Sequence, residues 1–239
     1  MTRTGPRIPL LLVGAAVAGG CLPTPGTTQA HGIAWFYNIF LAGAAVVAAT
    51  VWLPATWAVL RYRRKRDAPD ELPEQVRGSV RLEALWTILP SLTVLVLFAF
   101  TLVILQQVQA RQEGSVNVRV TAFRWGWQFQ LPDEQLTVTG VTGQTPELVV
   151  PVREPIHVTL TANDVVHAFY VPAFLYKHDA NPGRDATFDV TITEPGSYAG
   201  QCAEFCGTFH SRMPFTIRGV ERAEFERWVA EQRAAGQAR

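Results

Sequence analysis

The chain has 239 residues, 48% hydrophobic and 17% charged, with a formal net charge of +1. From Ala110 onward, 12 Lys and Arg stand against 15 Asp and Glu, so this part carries a net charge of −3. No basic stripe is available to neutralise phosphates, which excludes nucleic acid as a partner. Two long apolar stretches precede residue 110, and they predict attachment to a membrane.

Residues 1–30 have the layout of a secretory signal peptide, in which two arginines precede an apolar run that ends in small residues. Cleavage is expected near Gly19 and Gly20, or after Ala30. Cys21 leaves open a second interpretation, a lipid-modified N-terminus. The residue three positions before it is Ala, where the usual lipoprotein signal has Leu.

Residues 31–110 are predicted to form a transmembrane hairpin, with helices at about 33–60 and 86–108. Both stretches lack charged residues and exceed the roughly 20 residues that a membrane-spanning helix needs. The loop 61–85 between them begins with "RYRRKR", and the positive-inside rule makes such a loop cytoplasmic. Both ends of the chain are therefore expected outside the cytoplasm.

Residues 111–220 show short alternating strand patterns separated by Pro and Gly, which predict a small antiparallel sandwich or barrel. Residues 221–239 form the C-terminal tail. Phe225, Trp228 and Val229 recur there at helical spacing. The tail is thus expected to contain a short amphipathic helix that packs on the sheet or on a neighbour.

The stretch "CAEFCGTFHSRM" concentrates metal-binding residue types. Cys202, Cys206, His210 and Met213 follow one another at gaps of four, four and three residues, and His167 is available upstream in "DVVHAFYVP". Soft sulfur together with imidazole favours copper, and a weak methionine ligand is usual in copper sites that transfer electrons. Methionine is a poor zinc ligand and the common zinc spacings are absent, so zinc is the weaker interpretation.

A simpler alternative is a disulfide between Cys202 and Cys206, because an exported domain meets an oxidising compartment. That alternative gives His210 and Met213 no reason to follow in the same loop. His167 considered alone is more often a core or surface histidine. Its assignment depends on the neighbouring Cys/His/Met segment.

Four segments, "DVVHAFYVP", "DANPGR", "GQCAEFCGTFHSRMP" and "LEALWTILP", resemble subunit II of the cytochrome c oxidases over roughly residues 31–230. The resemblance implies a cupredoxin-like, Greek-key domain outside the cytoplasm, carried on a bacterial plasma membrane by two helices. It also implies a dinuclear copper centre, CuA, that accepts electrons from cytochrome c. Subunit I would use those electrons to reduce oxygen to water, coupled to proton translocation.

The resemblance also implies a role for each candidate ligand. The thiolates of Cys202 and Cys206 would bridge two coppers, and the imidazoles of His167 and His210 would each terminate one. The weak ligands would be the thioether of Met213 and the main-chain carbonyl of Glu204.

Two carboxylates have further roles in the resembled family. The side chain of Glu204 would face a magnesium or manganese ion shared with subunit I; the alternative is a solvated loop carboxylate. Glu83 would lie at the mouth of a proton pathway into subunit I. The alternative for Glu83 is an ordinary first-turn carboxylate favoured by the helix dipole.

The segment "AFRWGWQF" is similar to the aromatic segment through which electrons enter the family's copper site. Trp125 matches the tryptophan that receives them and Trp127 matches the second indole, for which core packing is the alternative. Gly126 departs from the aromatic residue common at that position, which leaves the docking surface less defined.

Three other functions compete with the oxidase interpretation. The related quinol oxidase subunit lacks the copper-binding cysteines and histidines, which are intact here. An exported, membrane-anchored copper-binding or delivery protein needs neither two helices nor "LEALWTILP". A nitrous oxide reductase shares the copper loop but needs a second catalytic domain. No C-x-x-C-H haem motif occurs, so the electron donor is expected to be a separate protein.

Overall fold

The structure is a computed structural model that describes residues 22–63, 75, 77–114 and 116–237. Residues 1–21 of the expected signal peptide, with Cys21, and residues 64–74 and 76 of the basic loop lie outside the described residues. The chain divides into two compact units. One is Trp35–Gln107, and the other consists of the segments before and after it.

Two long helices, α1 (Thr28–Arg61) and α2 (Val80–Gln109), are each long and apolar enough to cross a membrane. Their large apolar side chains point outward, and Trp52, for example, is 70% exposed. Such surfaces suit lipid or a partner subunit, not water. The predicted pair of membrane helices is confirmed, and each begins five or six residues earlier than expected. Hydropathy marks only the uncharged span, whereas the helices continue into polar turns.

The β-domain contains ten strands that form two five-stranded sheets, with orders β3-β2-β1-β5-β8 and β4-β10-β9-β6-β7. The strands are β1 (Val116–Phe123), β2 (Gly126–Leu131), β3 (Leu136–Val141), β4 (Glu147–Pro151), β5 (Pro155–Ala162), β6 (His167–Val171), β7 (Tyr176–Ala180), β8 (Ala186–Thr191), β9 (Gly196–Cys202) and β10 (Phe215–Val220).

Two of the strand pairs, β1 with β5 and β4 with β10, are parallel, and the other pairs are antiparallel. The expectation of a purely antiparallel sandwich is therefore corrected. Parallel neighbours need a long connection that crosses between sheets, and alternating hydrophobicity does not reveal such a crossing. The all-β, cupredoxin-like sandwich itself is confirmed.

The core lies between the two sheets. Residues of β5 alternate between buried and partly exposed along the strand, as expected when one face packs inward. A third helix, α3 (Arg222–Gln237), buries Phe225 and Val229 against this domain, as the spacing of these residues predicted. The packed sandwich is the rigid support for the site described below.

Residues 26–30, here called the N-terminal strap, pack on the β-domain and include the first three residues of α1. The carbonyl of Gly26 accepts a hydrogen bond from the Thr193 N–H at 3.1 Å. The hydroxyl of Thr27 accepts one from the Ala30 N–H at 3.0 Å and so caps α1. Both Thr27 and Ala30 are completely buried. Cleavage after Ala30 would remove this docked segment together with the cap.

Candidate metal centre

Five candidate donor side chains converge at one end of the sandwich. His167 is the first residue of β6 and Cys202 is the last residue of β9, its antiparallel neighbour. The other donors lie on the ligand loop, residues 203–214, and are Cys206, His210 and Met213. Two donors therefore belong to the sheet, while the other three belong to one connection between strands.

The donor atoms form a continuous chain of short separations. Cys202 Sγ lies 3.8 Å from His167 Nδ1 and 3.9 Å from Cys206 Sγ. Cys206 Sγ in turn lies 3.6 Å from His210 Nδ1 and 3.5 Å from Met213 Sδ. The structure thus brings together all five predicted side-chain ligands, with one imidazole beside each cysteine sulfur.

The two cysteines are not joined by a disulfide. Their sulfurs are 3.9 Å apart, whereas a disulfide bond is about 2.05 Å long, and both residues are free. Two thiols, two imidazoles and a thioether are a soft donor set of the kind that holds copper. His167, Cys202 and Cys206 alone form a buried group able to hold a metal ion.

Asp164 orients the buried imidazole. Its carboxylate lies 2.9 Å from His167 Nε2, so Nδ1 is the nitrogen that faces Cys202. The same carboxylate accepts the N–H groups of Arg124 and Val165, each at 2.7 Å. Burial alone would raise the pKa of Asp164, but these hydrogen bonds outweigh it and lower the pKa to about 2. Asp164 is therefore an ionised acceptor that fixes the His167 ring.

Sequence reasoning missed Asp164, although a signal for it was present. It stands three residues before a candidate histidine ligand, and such histidines commonly donate their second nitrogen to a carboxylate. The i, i+3 spacing alone does not show the contact, because Asp164 lies in the turn before β6.

The two thiols differ in acidity. Burial raises the pKa of each. At Cys202 the hydrogen bond with His167 and those with the main chain outweigh burial, and the pKa is lowered. At Cys206 the neighbouring charge of Cys202 adds to burial, and the pKa is raised. Cys202 is therefore the first thiolate of the pair, and a bound cation would favour ionisation of both.

Glu204 presents two groups in different directions. Its main-chain carbonyl oxygen lies 3.2 Å from Cys202 Sγ, inside the donor cluster. Its half-exposed carboxylate lies 3.2 Å from Lys177 Nζ, which also contacts Asp179 at 3.0 Å. The carbonyl is thus placed as a weak ligand would be, and the carboxylate belongs to a surface ion pair.

Trp125 lies against the ligand loop and is partly buried. Its indole Nε1 donates to the main-chain carbonyl of Cys206 at 3.2 Å, and its ring meets Phe209 edge-on at 5.0 Å. Gly207 allows this approach because a Cβ there would lie 3.2 Å from the indole ring. The backbone of Gly207 also has a φ of +117°, which disfavours other residues.

Trp127 is completely buried in the core, and it also carries a polar contact to the site. Its indole Nε1 donates to the main-chain carbonyl of Met213 at 2.9 Å. Glu83, in contrast, lies in the first turn of α2, within the helical unit. It is not one of the residues that form the donor cluster.

The fold and the site define a membrane-anchored β-sandwich protein with a sulfur- and imidazole-rich metal centre at one end of the sandwich. Comparison with known families gives two matches. Residues 128–220 match "Cytochrome C oxidase subunit II, periplasmic domain" and residues 15–104 match "Cytochrome C oxidase subunit II, transmembrane domain".

Individual relatives agree with these family matches. The chain is 31% identical to a probable cytochrome c oxidase subunit 2 of Nocardia farcinica, covering 88% of this chain and 72% of the relative. It is 30% identical to cytochrome c oxidase subunit 2 of Cereibacter sphaeroides, covering 88% and 78%. A crystal structure of the periplasmic domain of subunit II of cytochrome oxidase from Bradyrhizobium japonicum is 34% identical. It matches 52% of this chain and 97% of that one, with a TM-score of 0.49.

The chain belongs to the cytochrome c oxidase subunit II family. It is a membrane-anchored component of the oxidase complex, with its C-terminal domain outside the cytoplasm. Its Cys/His cluster fits a copper site. The donor residues that a quinol oxidase counterpart lacks are all present and gathered in one place.

Proposed function

We propose that the cluster is a dinuclear CuA centre that accepts electrons from cytochrome c and passes them to the haem and copper centres of subunit I. The observation that carries this proposal is the close grouping of two thiols with two imidazoles. The two cysteine sulfurs lie 3.9 Å apart, and each has one imidazole nitrogen within 3.8 Å, that of His167 beside Cys202 and that of His210 beside Cys206. Cys202 and Cys206 would hold two coppers between them, and His167 and His210 would each supply one imidazole ligand.

The bound centre would supply one-electron storage shared between two metals. The chain's own task is to keep the donors still, so that little geometry changes when an electron arrives. His167 and Cys202 are held by neighbouring strands, and Asp164 fixes the imidazole. Met213 Sδ, beside Cys206, and the Glu204 carbonyl, beside Cys202, would be the weak ligands.

Electrons would enter through Trp125. Its indole N–H bonds the carbonyl of Cys206, so a short covalent and hydrogen-bonded route connects the ring to a bridging sulfur. Phe209 contacts the Trp125 ring, and Phe205, which is 80% exposed, lies beside His210 on the same ligand loop. Exposed apolar side chains beside a redox site suit a transient protein contact.

A substitution of Trp125 tests this route in the assembled oxidase. Trp125→Phe should slow the oxidation of cytochrome c while leaving the copper content unchanged, because no proposed ligand is altered. An unchanged oxidation rate would remove Trp125 from the route.

Two carboxylates extend the proposal towards subunit I. Glu204 would contribute its carboxylate to a magnesium or manganese ion shared with that subunit, and its half-exposed position leaves the group accessible to a partner. Glu83 would stand at the mouth of a proton pathway, in the first turn of α2. Glu83→Gln in the assembled enzyme should then slow turnover, whereas normal turnover would favour a role in helix capping alone.

We also propose that maturation removes the leader before the N-terminal strap and leaves residues 26–30 on the domain. The buried Thr27 and Ala30 support this, because the folded domain is completed by them. Intact mass of the purified subunit measures the new N-terminus and any lipid on Cys21. A mature chain that begins at His31 would contradict the proposal.

The central test is reconstitution of the full chain in detergent with copper, followed by metal analysis and electron paramagnetic resonance. Two coppers per chain sharing one unpaired electron would establish the dinuclear centre. One copper with a mononuclear spectrum would instead favour an exported copper-binding or delivery protein, and no copper would overturn both functions.

A further inference from the structure

From within the core, Trp127 contacts one donor residue on the sheet and one on the ligand loop. Its Nε1–H donates to the Met213 carbonyl at 2.9 Å, and its ring lies edge-on to His167 with centroids 6.3 Å apart. On its other sides the indole packs against Phe169 and Phe215, at 6.0 and 5.0 Å. The residue therefore connects the rigid core to one ligand on the sheet and one on the loop.

Met213 lies outside helix and strand, with φ −122° and ψ 61°, between a short 3-10 turn and β10. The next residue is Pro214, which has no N–H to donate. A buried carbonyl without a donor is costly, so the indole N–H has a clear energetic reason to stay in place.

We infer that Trp127 is a positioning residue that holds Met213 Sδ beside Cys206 through its indole N–H. Met213 Sδ lies 3.5 Å from Cys206 Sγ and is almost completely buried. Moving the Met213 carbonyl would move the thioether with it, because both belong to one residue. The effect on copper rests on the function proposed above, whereas the effect on Met213 does not.

The consequence for a bound metal has a definite direction. A thioether donates electron density, and this stabilises the more positive, oxidised state of the metal. Loss of that contact should therefore raise the reduction potential. Substitution of residues that orient ligands commonly lowers metal affinity by 10- to 100-fold, so we expect a loss of about tenfold here.

The test compares Trp127→Phe with Phe129→Leu in the full chain. Trp127→Phe keeps an aromatic ring in the core but removes the N–H donor. Phe129 is equally buried on the same face of β2 and also packs on Phe215, yet it has no polar group. Phe129→Leu therefore disturbs the same core and leaves the hydrogen bond intact.

The first readout needs no copper. The chain contains two methionines, Met1 and Met213, so ¹³C-methyl labelling of methionine gives Met213 a readily assigned signal. In the metal-free protein, Trp127→Phe should shift this signal and increase the mobility of the methyl group, and Phe129→Leu should do neither. An unchanged Met213 signal in Trp127→Phe would overturn the inference.

Two further measurements complete the test. In the unsubstituted protein the Trp127 indole N–H should exchange slowly with solvent, and fast exchange would overturn the inference even if Trp127→Phe does not fold. In copper-loaded protein only Trp127→Phe should raise the reduction potential, and equal potentials in the two variants would also contradict it. If the unsubstituted chain binds no copper, the proposed function fails, while the metal-free signal still decides the role of Trp127.

Discussion

The two ends of the donor cluster are built differently. His167 and Cys202 belong to neighbouring strands, and the imidazole is completely buried and fixed by Asp164. Cys206 and His210 belong to the ligand loop, and His210 is only half-buried. The comparison indicates that the sheet end contributes to the stability of the domain whether or not metal is bound. The loop end contributes mainly to binding.

The largest expected effect is the difference in stability between variants of His167 and His210. His167→Ala empties a fully buried position and should lower the free energy of unfolding of the metal-free protein by about 2 kcal/mol or more. His210→Ala should change it by less than about 0.5 kcal/mol. Both variants should lose the dinuclear copper spectrum. Denaturant unfolding without metal measures the difference, and equal destabilisation would abolish the distinction between the two ends.

A second substitution acts on the sheet end without emptying it. Asp164→Asn removes the negative charge that faces His167 Nε2 but keeps the size of the side chain. The imidazole should then be less firmly oriented, and copper affinity should fall about 10- to 100-fold. Competition with a copper chelator measures this change.

Asp185→Asn is the matched control for that substitution. Asp185 forms an exposed ion pair with Arg119, so its loss should leave copper affinity unchanged. Similar affinities in Asp164→Asn and Asp185→Asn would show that Asp164 does not orient the ligand.

A third substitution examines the loop end. In the Gly207→Ala variant, alanine would have to adopt a backbone conformation that is unfavourable to it. The Cβ of this alanine would also lie 3.2 Å from the Trp125 ring. We expect a loss of about 1–3 kcal/mol of stability together with slower electron acceptance, because Trp125 must shift. Stopped-flow reduction by cytochrome c measures the rate.

Gly143→Ala separates backbone strain from the contact with Trp125. Gly143 also has a positive φ, of +87°, but a Cβ there meets nothing within 4 Å. The Gly143→Ala variant should therefore be less stable than the unsubstituted protein but accept electrons at the normal rate. If both glycine variants slow the reaction equally, the contact between Gly207 and Trp125 is not the cause.

The smallest effect is expected at Glu204. Glu204→Gln keeps the main-chain carbonyl beside Cys202 and removes only a half-exposed ion pair with Lys177. Such pairs contribute about 1 kcal/mol at most, so stability and copper content should hardly change. Manganese bound by the purified oxidase should be lost. Retained manganese would assign the carboxylate to the surface ion pair alone.

Much of the protein could be predicted from its sequence, because the signals are local. An uncharged stretch marks a membrane helix wherever the chain goes afterwards, and both helices were predicted on that basis. Four of the five donor side chains lie within the segment from Cys202 to Met213, so their spacing alone indicated a soft metal site. The amphipathic tail was likewise visible from the spacing of Phe225 and Val229.

What only the tertiary structure decided depends on residues far apart in the chain. The bond from Trp127 to Met213 spans 86 positions and that from Trp125 to Cys206 spans 81. The role of Asp164, the unequal acidity of the two thiols and the docking of the N-terminal strap also required the fold. Residue type and spacing determine which atoms can bind a metal. The packing of one sheet against another determines which atoms are held still enough to do so, because hydrogen bonds depend on distance in space and not on separation along the chain.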